Sequence, residues 1–271
     1  MSRSAAEKRA AFRALHESGC FVLPNPWDVG SARILEHLGF KALASTSAGM
    51  AWSLGRGDGQ VSLDEVLLHL ASLAHATALP LNADFENGFA DAPGDVAANV
   101  ALAVDTGIAG LSIEDYTGRA GEGLYGFDLA VARIAAARAA IDRSGSGVLL
   151  TARSEGFIRG APDMDETLRR LKAFTAAGAD CLYAPGLRDE AQIRAVVEAV
   201  APKPVNLLSP GLPVATAAAL GVRRISLGGA LAGAAFGELL RVAKDIADQG
   251  TFTSLAQAAS GRTLNPIFAG G

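Results

Sequence analysis

The 271-residue chain is half hydrophobic and sets 24 Lys and Arg against 28 Asp and Glu, for a formal net charge of −4. Near balance of charge, with no basic stripe interleaved with aromatics, argues against nucleic-acid binding. No run of about 18 apolar residues escapes charge or helix breakers, which argues against a membrane span. The polar, helix-patterned start from Met1 to Gly19 has no apolar signal core, so a cytoplasmic enzyme is expected.

An opening helix is expected over roughly Ala5 to Ser18, followed by eight strand-like runs: Phe21–Pro24, Ala42–Ser45, Leu79–Asp84, Gly110–Glu114, Val148–Ala152, Cys181–Ala184, Val205–Leu208 and Arg224–Leu227. Helical patterns alternate with them at Val29–Leu38, Leu63–Thr77, Val96–Thr106, Leu129–Asp142, Asp165–Ala177, Glu190–Val200, Val214–Leu220 and Leu231–Ala247. Glycine closes several of these helices, as in Leu38-Gly39-Phe40 and Thr106-Gly107-Ile108. Eight such alternations predict one (β/α)8 barrel domain over residues 1–271, with an N-terminal helix and a C-terminal helical tail; a doubly wound open sheet is the alternative. Cys20 and Cys181 open apolar runs and read as small buried hydrophobes, with no zinc spacing. The four histidines all fall on helical stretches, away from strand tips, and read as surface or packing residues.

A barrel demands that functional residues follow the C-terminal ends of its strands. They do: the third, fourth and fifth strands deliver Asp84 and Glu86, Glu114 and Asp115, and Arg153 to Glu155, and the seventh carries Asn206. The opposite rim is mostly Gly, Ala and Lys. Asp84 and Glu86, two residues apart on a strand, point the same way. Carboxylates crowded on one edge repel unless a cation lies among them, and hard oxygen donors suit Mg2+ or Mn2+. Arg153 offers a bidentate hold on a carboxylic acid, or pairs structurally with Glu155 or Glu114. Asp58, inside Gly57-Asp58-Gly59, also reads as simple turn chemistry. Trp27 reads equally as barrel-top packing or as a pocket wall.

At these residues the chain resembles the isocitrate lyase and phosphoenolpyruvate mutase superfamily over nearly its whole length. The motifs are Pro24-Asn25-Pro26-Trp27-Asp28-Val29-Gly30-Ser31-Ala32-Arg33, the Ser45–Gly49 turn with Leu54-Gly55-Arg56-Gly57-Asp58, Ala83-Asp84-Phe85-Glu86-Asn87-Gly88-Phe89, Ile113-Glu114-Asp115 and Ala152-Arg153-Ser154-Glu155. The resemblance implies a barrel whose eighth helix is exchanged between subunits of a homotetramer, a dimer of dimers. It implies Mg2+ (or Mn2+) near Asp58, Asp84, Glu86 and Glu114, and a 2-oxo acid whose carboxylate is held by Ser45, Thr46, Ser47 and Arg153. Asp58, Glu114 and Arg153 are the implied catalytic residues; Trp27 and Asn206 join the substrate-binding set.

Two departures qualify that likeness. The segment Tyr116 to Gly126 carries none of the Cys, His or Lys that the lyases place in a gating loop, nor the Lys-x-Asn-Ser type of loop of the mutases. After the seventh strand the lyases' Asn-x-Thr-Glu is reduced to Asn206-Leu207-Leu208-Ser209. The expectation is therefore a Mg2+-dependent carbon–carbon lyase acting on a small 2-oxo or 2-hydroxy dicarboxylate through an enolate, in the manner of an oxaloacetate decarboxylase. The alternatives are a carbon–phosphorus mutase or hydrolase and a non-catalytic 2-oxo acid binding protein.

Overall fold

A computed structural model describes residues 3–208 and 211–269. The apolar runs become eight strands: β1 (Phe21–Leu23), β2 (Leu43–Ala44), β3 (Leu81–Asp84), β4 (Gly110–Glu114), β5 (Leu149–Arg153), β6 (Cys181–Tyr183), β7 (Val205–Leu208) and β8 (Arg224–Ser226). From β2 to β8 each pairs in parallel with the next in sequence, and β8 pairs in parallel with β1. The ring closes between β1 and β2, where the Ala44 N–H donates to the Pro24 carbonyl at 3.0 Å. This is a (β/α)8 barrel. The sealing residue at that seam is Asn25, whose Nδ2 donates to the Ser45 carbonyl while its Oδ1 accepts from the N–H groups of Leu227 and Gly228.

Strand alternation sorts the side chains. Leu111 and Ile113 on β4, Leu150 and Ala152 on β5, and Leu207 on β7 join the hydrophobic layer between strands and helices. Ser112, Glu114, Arg153, Asn206, Arg224 and Ser226, the alternate positions, line the interior. The outer layer is α2 (Val29–His37), α4 (Leu63–Ala76), α5 (Pro93–Asp105), α6 (Phe127–Ser144), α7 (Met164–Ala176), α8 (Glu190–Val200), α9 (Val214–Ala219) and α10 (Ala230–Gln249). The Asp28 and Ser31 of the first motif form a capping box at the start of α2, which accounts for their spacing.

The helix α1 (Ala5–Leu15) lies across the N-terminal end of the barrel. The Lys8 Nζ donates to the carbonyls of Ala74 and Thr77 at the end of α4, and Arg9 donates to those of Val104 in the last turn of α5 and Ile108 beyond it. These cations satisfy carbonyls that a helix C-terminus leaves open.

The sequence reading needs three adjustments. The Ser/Gly-rich turn after β2 contains a short helix, α3 (Ser47–Ser53), started by the Thr46 hydroxyl accepting from the Gly49 N–H. Strand β3 begins at Leu81 rather than Leu79. The tail folds into a 3-10 turn (Thr253–Gln257) and α11 (Gly261–Phe268), with the Arg33 Nη1 donating to the Phe268 carbonyl. Of α10 only Ala232 is buried, and Leu239 and Leu240 are exposed. Cys181 is buried, Cys20 half-buried, and both are free thiols. No helix of the described residues is long and apolar enough to cross a membrane.

Candidate active site

The C-terminal strand ends surround a cavity of about 470 Å3. Its lining includes Ser45, Thr46, Ser47, Asp58, Asp84, Glu86, Glu114, Arg153 and Asn206, so nine of the ten side chains singled out from the sequence meet there. Trp27 does not line it. Its backbone N–H is bound by Ser31 Oγ, and its Cβ lies 3.0 Å from where a side chain on Gly49 would begin, so it packs against α3 instead.

Arg153 is the hub. Its Nη1 donates to Asp84 Oδ1 at 2.7 Å and its Nε to Glu155 Oε1 at 3.0 Å. Its Nη2 lies 3.1 Å from Glu114 Oε2 and 2.8 Å from Glu155 Oε1. Burial opposes the charge on Arg153, but the Glu155, Glu114 and Asp84 carboxylates outweigh it and hold the guanidinium protonated. Glu155 is fully buried, and its contact with Arg153 is the structural pairing that the sequence left open. Strand β3 presents Asp84 through a second set of contacts: its N–H donates to Ser45 Oγ at 2.8 Å, and its Oδ2 accepts from the Ser47 N–H at 3.0 Å. The turn expected to seat a substrate carboxylate thus also fixes an acidic residue of the site.

Glu86 stands apart. Its backbone takes a positive φ of 45°, a region that non-glycine residues rarely occupy, while its carbonyl accepts from the Glu114 N–H at 2.9 Å. Its Oε1 is buried with no hydrogen-bond partner among the described residues. Burial, reinforced by the charges of Asp84 and Asp58, pushes its carboxyl up to about 7. Glu114 is likewise raised, by burial first and by Glu155 and Asp84, against the pull of Arg153. Gly88, two residues beyond Glu86, has φ of 76° and would place a Cβ 3.1 Å from Val96, so the turn that carries Glu86 admits no larger residue there.

The set expected to bind metal, Asp58, Asp84, Glu86 and Glu114, does not form a ligand cluster as it stands. Among the described residues no three His, Cys, Asp or Glu side chains are gathered in a way that could hold a metal ion. The physical reason is Arg153, which already neutralises Asp84 and Glu114. The donor chemistry nonetheless fits a hard divalent cation, because the Glu86 oxygen has no hydrogen-bond partner and burial with the charges of Asp84 and Asp58 outweighs the pull of Arg153 and Arg159 on it.

The cavity floor is polar and was not read from the sequence. Arg224, buried at the start of β8, donates through Nε to Asn206 Oδ1 at 2.7 Å and through Nη2 to Thr151 Oγ1 at 3.1 Å. Asn206 Nδ2 donates to Ser226 Oγ at 2.9 Å. Asn206, expected to touch substrate, thus uses its amide to order the floor. The signal was present, since alternation in Arg224-Ile225-Ser226 puts a charge at a barrel-interior position. Arg159, another lining residue, lies in the loop after β5. Asp115 is not at the cavity: it is buried against Arg170 at 3.1 Å and accepts from the Glu155 N–H. Burial pushes its carboxyl up to about 6. Ser209 lies outside the described residues.

The phosphoenolpyruvate phosphomutase family model matches residues 12–247. A solved structure from Burkholderia cenocepacia J2315, described only as a lyase/mutase, superposes with a TM-score of 0.95 at 48% identity, covering 98% of this chain and 97% of that one. An oxaloacetate acetylhydrolase solved with its product oxalate superposes with a TM-score of 0.86 at 29% identity over 99% of both chains. The oxaloacetate decarboxylase of Paraburkholderia xenovorans is 31% identical over 229 residues, 81% of this chain and 74% of the relative. Lyases and mutases of small acids thus share this barrel, and the chain belongs to the phosphoenolpyruvate phosphomutase family within the isocitrate lyase superfamily.

Proposed function

We propose that the protein is a carbon–carbon lyase for a small 2-oxo or 2-hydroxy dicarboxylate, with decarboxylation of oxaloacetate to pyruvate and CO2 as its reaction. The observation that carries this reading is the acidic wall of Asp84, Glu86 and Glu114, with an unpartnered Glu86 oxygen, on a cavity of about 470 Å3 sized for a small acid. Identity of about 31% to oxaloacetate decarboxylases supports the same choice. The residues that would hold Mg2+ or Mn2+ are Asp58, Asp84, Glu86 and Glu114. When bound, such a cation supplies Lewis acidity for the negative charge that develops on the 2-oxo oxygen.

The chain's own groups do the remaining work. Arg153 orients Asp84 and Glu114 and, with the Ser45–Ser47 turn, is the proposed seat of the carboxylate next to the 2-oxo group. As the C3–C4 bond breaks, its electron pair passes into the enolate of pyruvate and CO2 departs. Carbon 3 then takes a proton. Water can deliver it; no thiol, imidazole or amine stands in the segment 116–126 to do so. An aldol-type cleavage gains about 10²–10⁴-fold from a positioned acid or base, so isocitrate and 2-methylisocitrate are poor substrates on this reading.

The setting is cytoplasmic, and the exposed Leu239 and Leu240 of α10 are proposed to pack against a second copy, in a dimer of dimers with this helix exchanged. Incubation with oxaloacetate and Mg2+, followed as pyruvate release, tests the activity. Turnover well above the Mg2+-only background, with no glyoxylate from isocitrate, is expected. Background-level turnover of oxaloacetate, or robust glyoxylate release, defeats the proposal.

A further inference from the structure

Three guanidinium groups line the cavity, and their hydrogen bonding separates them. Arg153 donates hydrogen bonds through Nε to Glu155 and through Nη1 to Asp84, and its Nη2 lies within 3.1 Å of Glu114 and Glu155, so three carboxylates already surround it at close range. Arg224 is sealed in the floor with its donors on Asn206 and Thr151. Arg159 differs from both. Its side chain is 33% exposed and makes no hydrogen bond among the described residues. Its Nε lies 3.3 Å from Glu155 Oε2 and its Nη2 lies 3.7 Å from Glu114 Oε1. Glu155 Oε2 is itself without a hydrogen-bond partner, so the approach is Coulombic and leaves the donors unspent.

The guanidinium of Arg159 is stacked on the Tyr116 ring, 3.9 Å from its centroid. Stacking on an aromatic face fixes the plane of the group and leaves its edge donors pointing outward, the fork that matches a carboxylate. Arg153 and Arg159 approach opposite oxygens of Glu114. A short diacid can therefore have one end at the acidic wall and the other at Arg159. Asp58, Asp84, Glu86 and Glu114 all line the same cavity, so a dianion entering it needs a cation whose hydrogen-bond donors are still to give, as those of Arg159 are.

We propose that Arg159 is a specificity-determining residue that receives the distal carboxylate of the substrate, with Tyr116 as its stacking support. The assignment rests on the proposed function, because it takes the substrate to be a dicarboxylate whose 2-oxo end sits at the acidic wall. It adds the residue that separates a diacid from a monoacid.

The test compares two ligands by calorimetry in the presence of Mg2+: 3,3-difluorooxaloacetate, a diacid, and pyruvate, which lacks the distal carboxylate. Arg159→Gln is expected to weaken the diacid roughly 10- to 150-fold, the worth of a charge-assisted bond, and pyruvate less than about twofold. Arg159→Lys should recover part of the diacid affinity, and Tyr116→Leu should lose part of it. Equal losses for both ligands, or no loss for the diacid, overturn the assignment of Arg159 while leaving the proposed function standing. Selective loss of 3-phosphonopyruvate without loss of the diacid overturns it too, by making the distal group a phosphonate. Wild-type protein that binds none of these acids overturns the proposed function and this assignment together.

Discussion

The two ends of the barrel treat charge in opposite ways. At the N-terminal end the cations of α1 meet neutral oxygen: Lys8 on the carbonyls of Ala74 and Thr77, Arg9 on those of Val104 and Ile108, Arg13 on that of Gly147. These contacts finish helices and close the barrel. At the C-terminal end one guanidinium is shared by three carboxylates, two buried carboxylate oxygens have no hydrogen-bond partner, and Glu86 sits in a strained backbone conformation. Stability alone does not select such an arrangement, since a buried charge without a partner is costly. A fold that spends the cations of α1 on helix carbonyls at one end and leaves buried carboxylate oxygens unmet at the other has assigned the first contacts to stability and kept the second end for a ligand.

Changes at the two ends should therefore separate binding from folding. The largest effect is expected from Asp84→Ala, which removes the carboxylate tied to Arg153, Ser45 and Ser47. Mg2+ binding measured by calorimetry should fall below detection, and turnover with it, while circular dichroism keeps the helical signal. Unchanged Mg2+ affinity would take Asp84 out of the site. Arg153→Lys comes next. It keeps the charge but loses the planar fork that reaches three carboxylates, and affinity for 2-oxo acids should drop roughly 10- to 150-fold, or about 1.5–3 kcal/mol. An unchanged dissociation constant would show that the fork is not needed.

At the other end, Lys8→Met removes a buried ammonium from two carbonyls while keeping the apolar stem. A loss of about 1.5–3 kcal/mol in unfolding free energy is expected, with ligand affinity unchanged. Denaturant titration measures the first and calorimetry the second. A variant that lost affinity without losing stability would reverse the assignment of the two ends.

The sequence carried the barrel because its signals are local and periodic. Gly39 and Gly107 do end up at positive φ after α2 and α5, and the charged tips of β3, β4 and β5 do come together. It carried less of the site's internal logic. Arg153 was left open between a hand for substrate and a structural partner of Glu155 or Glu114, because the three carboxylates that approach it come from β3, β4 and its own loop, and only folding brings them within 3.1 Å. Arg159 was missed because a charge in an irregular loop has no periodicity to mark it. Trp27 was left open between two roles because direction at the barrel rim depends on α3, a seven-residue helix whose Ser, Ala and Gly content reads as a turn.

The smallest effect at neutral pH is expected at His16, where α1 ends over the barrel floor. Burial, with the nearby Arg224 charge second, lowers its imidazole to about 3 from an ordinary 6.5. The ring packs edge-on against Phe12 and Phe21, and its Nδ1 is 2.8 Å from the Phe12 carbonyl. A base whose pKa is depressed by folding is neutral in the native state, while the unfolded chain takes up a proton below about 6.5. The contribution is thus fully present above the unfolded pKa and is lost as pH falls toward 3, with a slope of up to about 1.4 kcal/mol per pH unit. His16→Phe keeps the aromatic packing and cannot be protonated. It should lose less stability than the wild type between pH 8 and pH 4.5 in parallel urea titrations, with a constant offset for the lost bond to the Phe12 carbonyl. If both proteins lose stability equally between pH 6.5 and 4.5, the proton is taken up elsewhere, and the N-terminal end contributes nothing to the acid sensitivity of the fold.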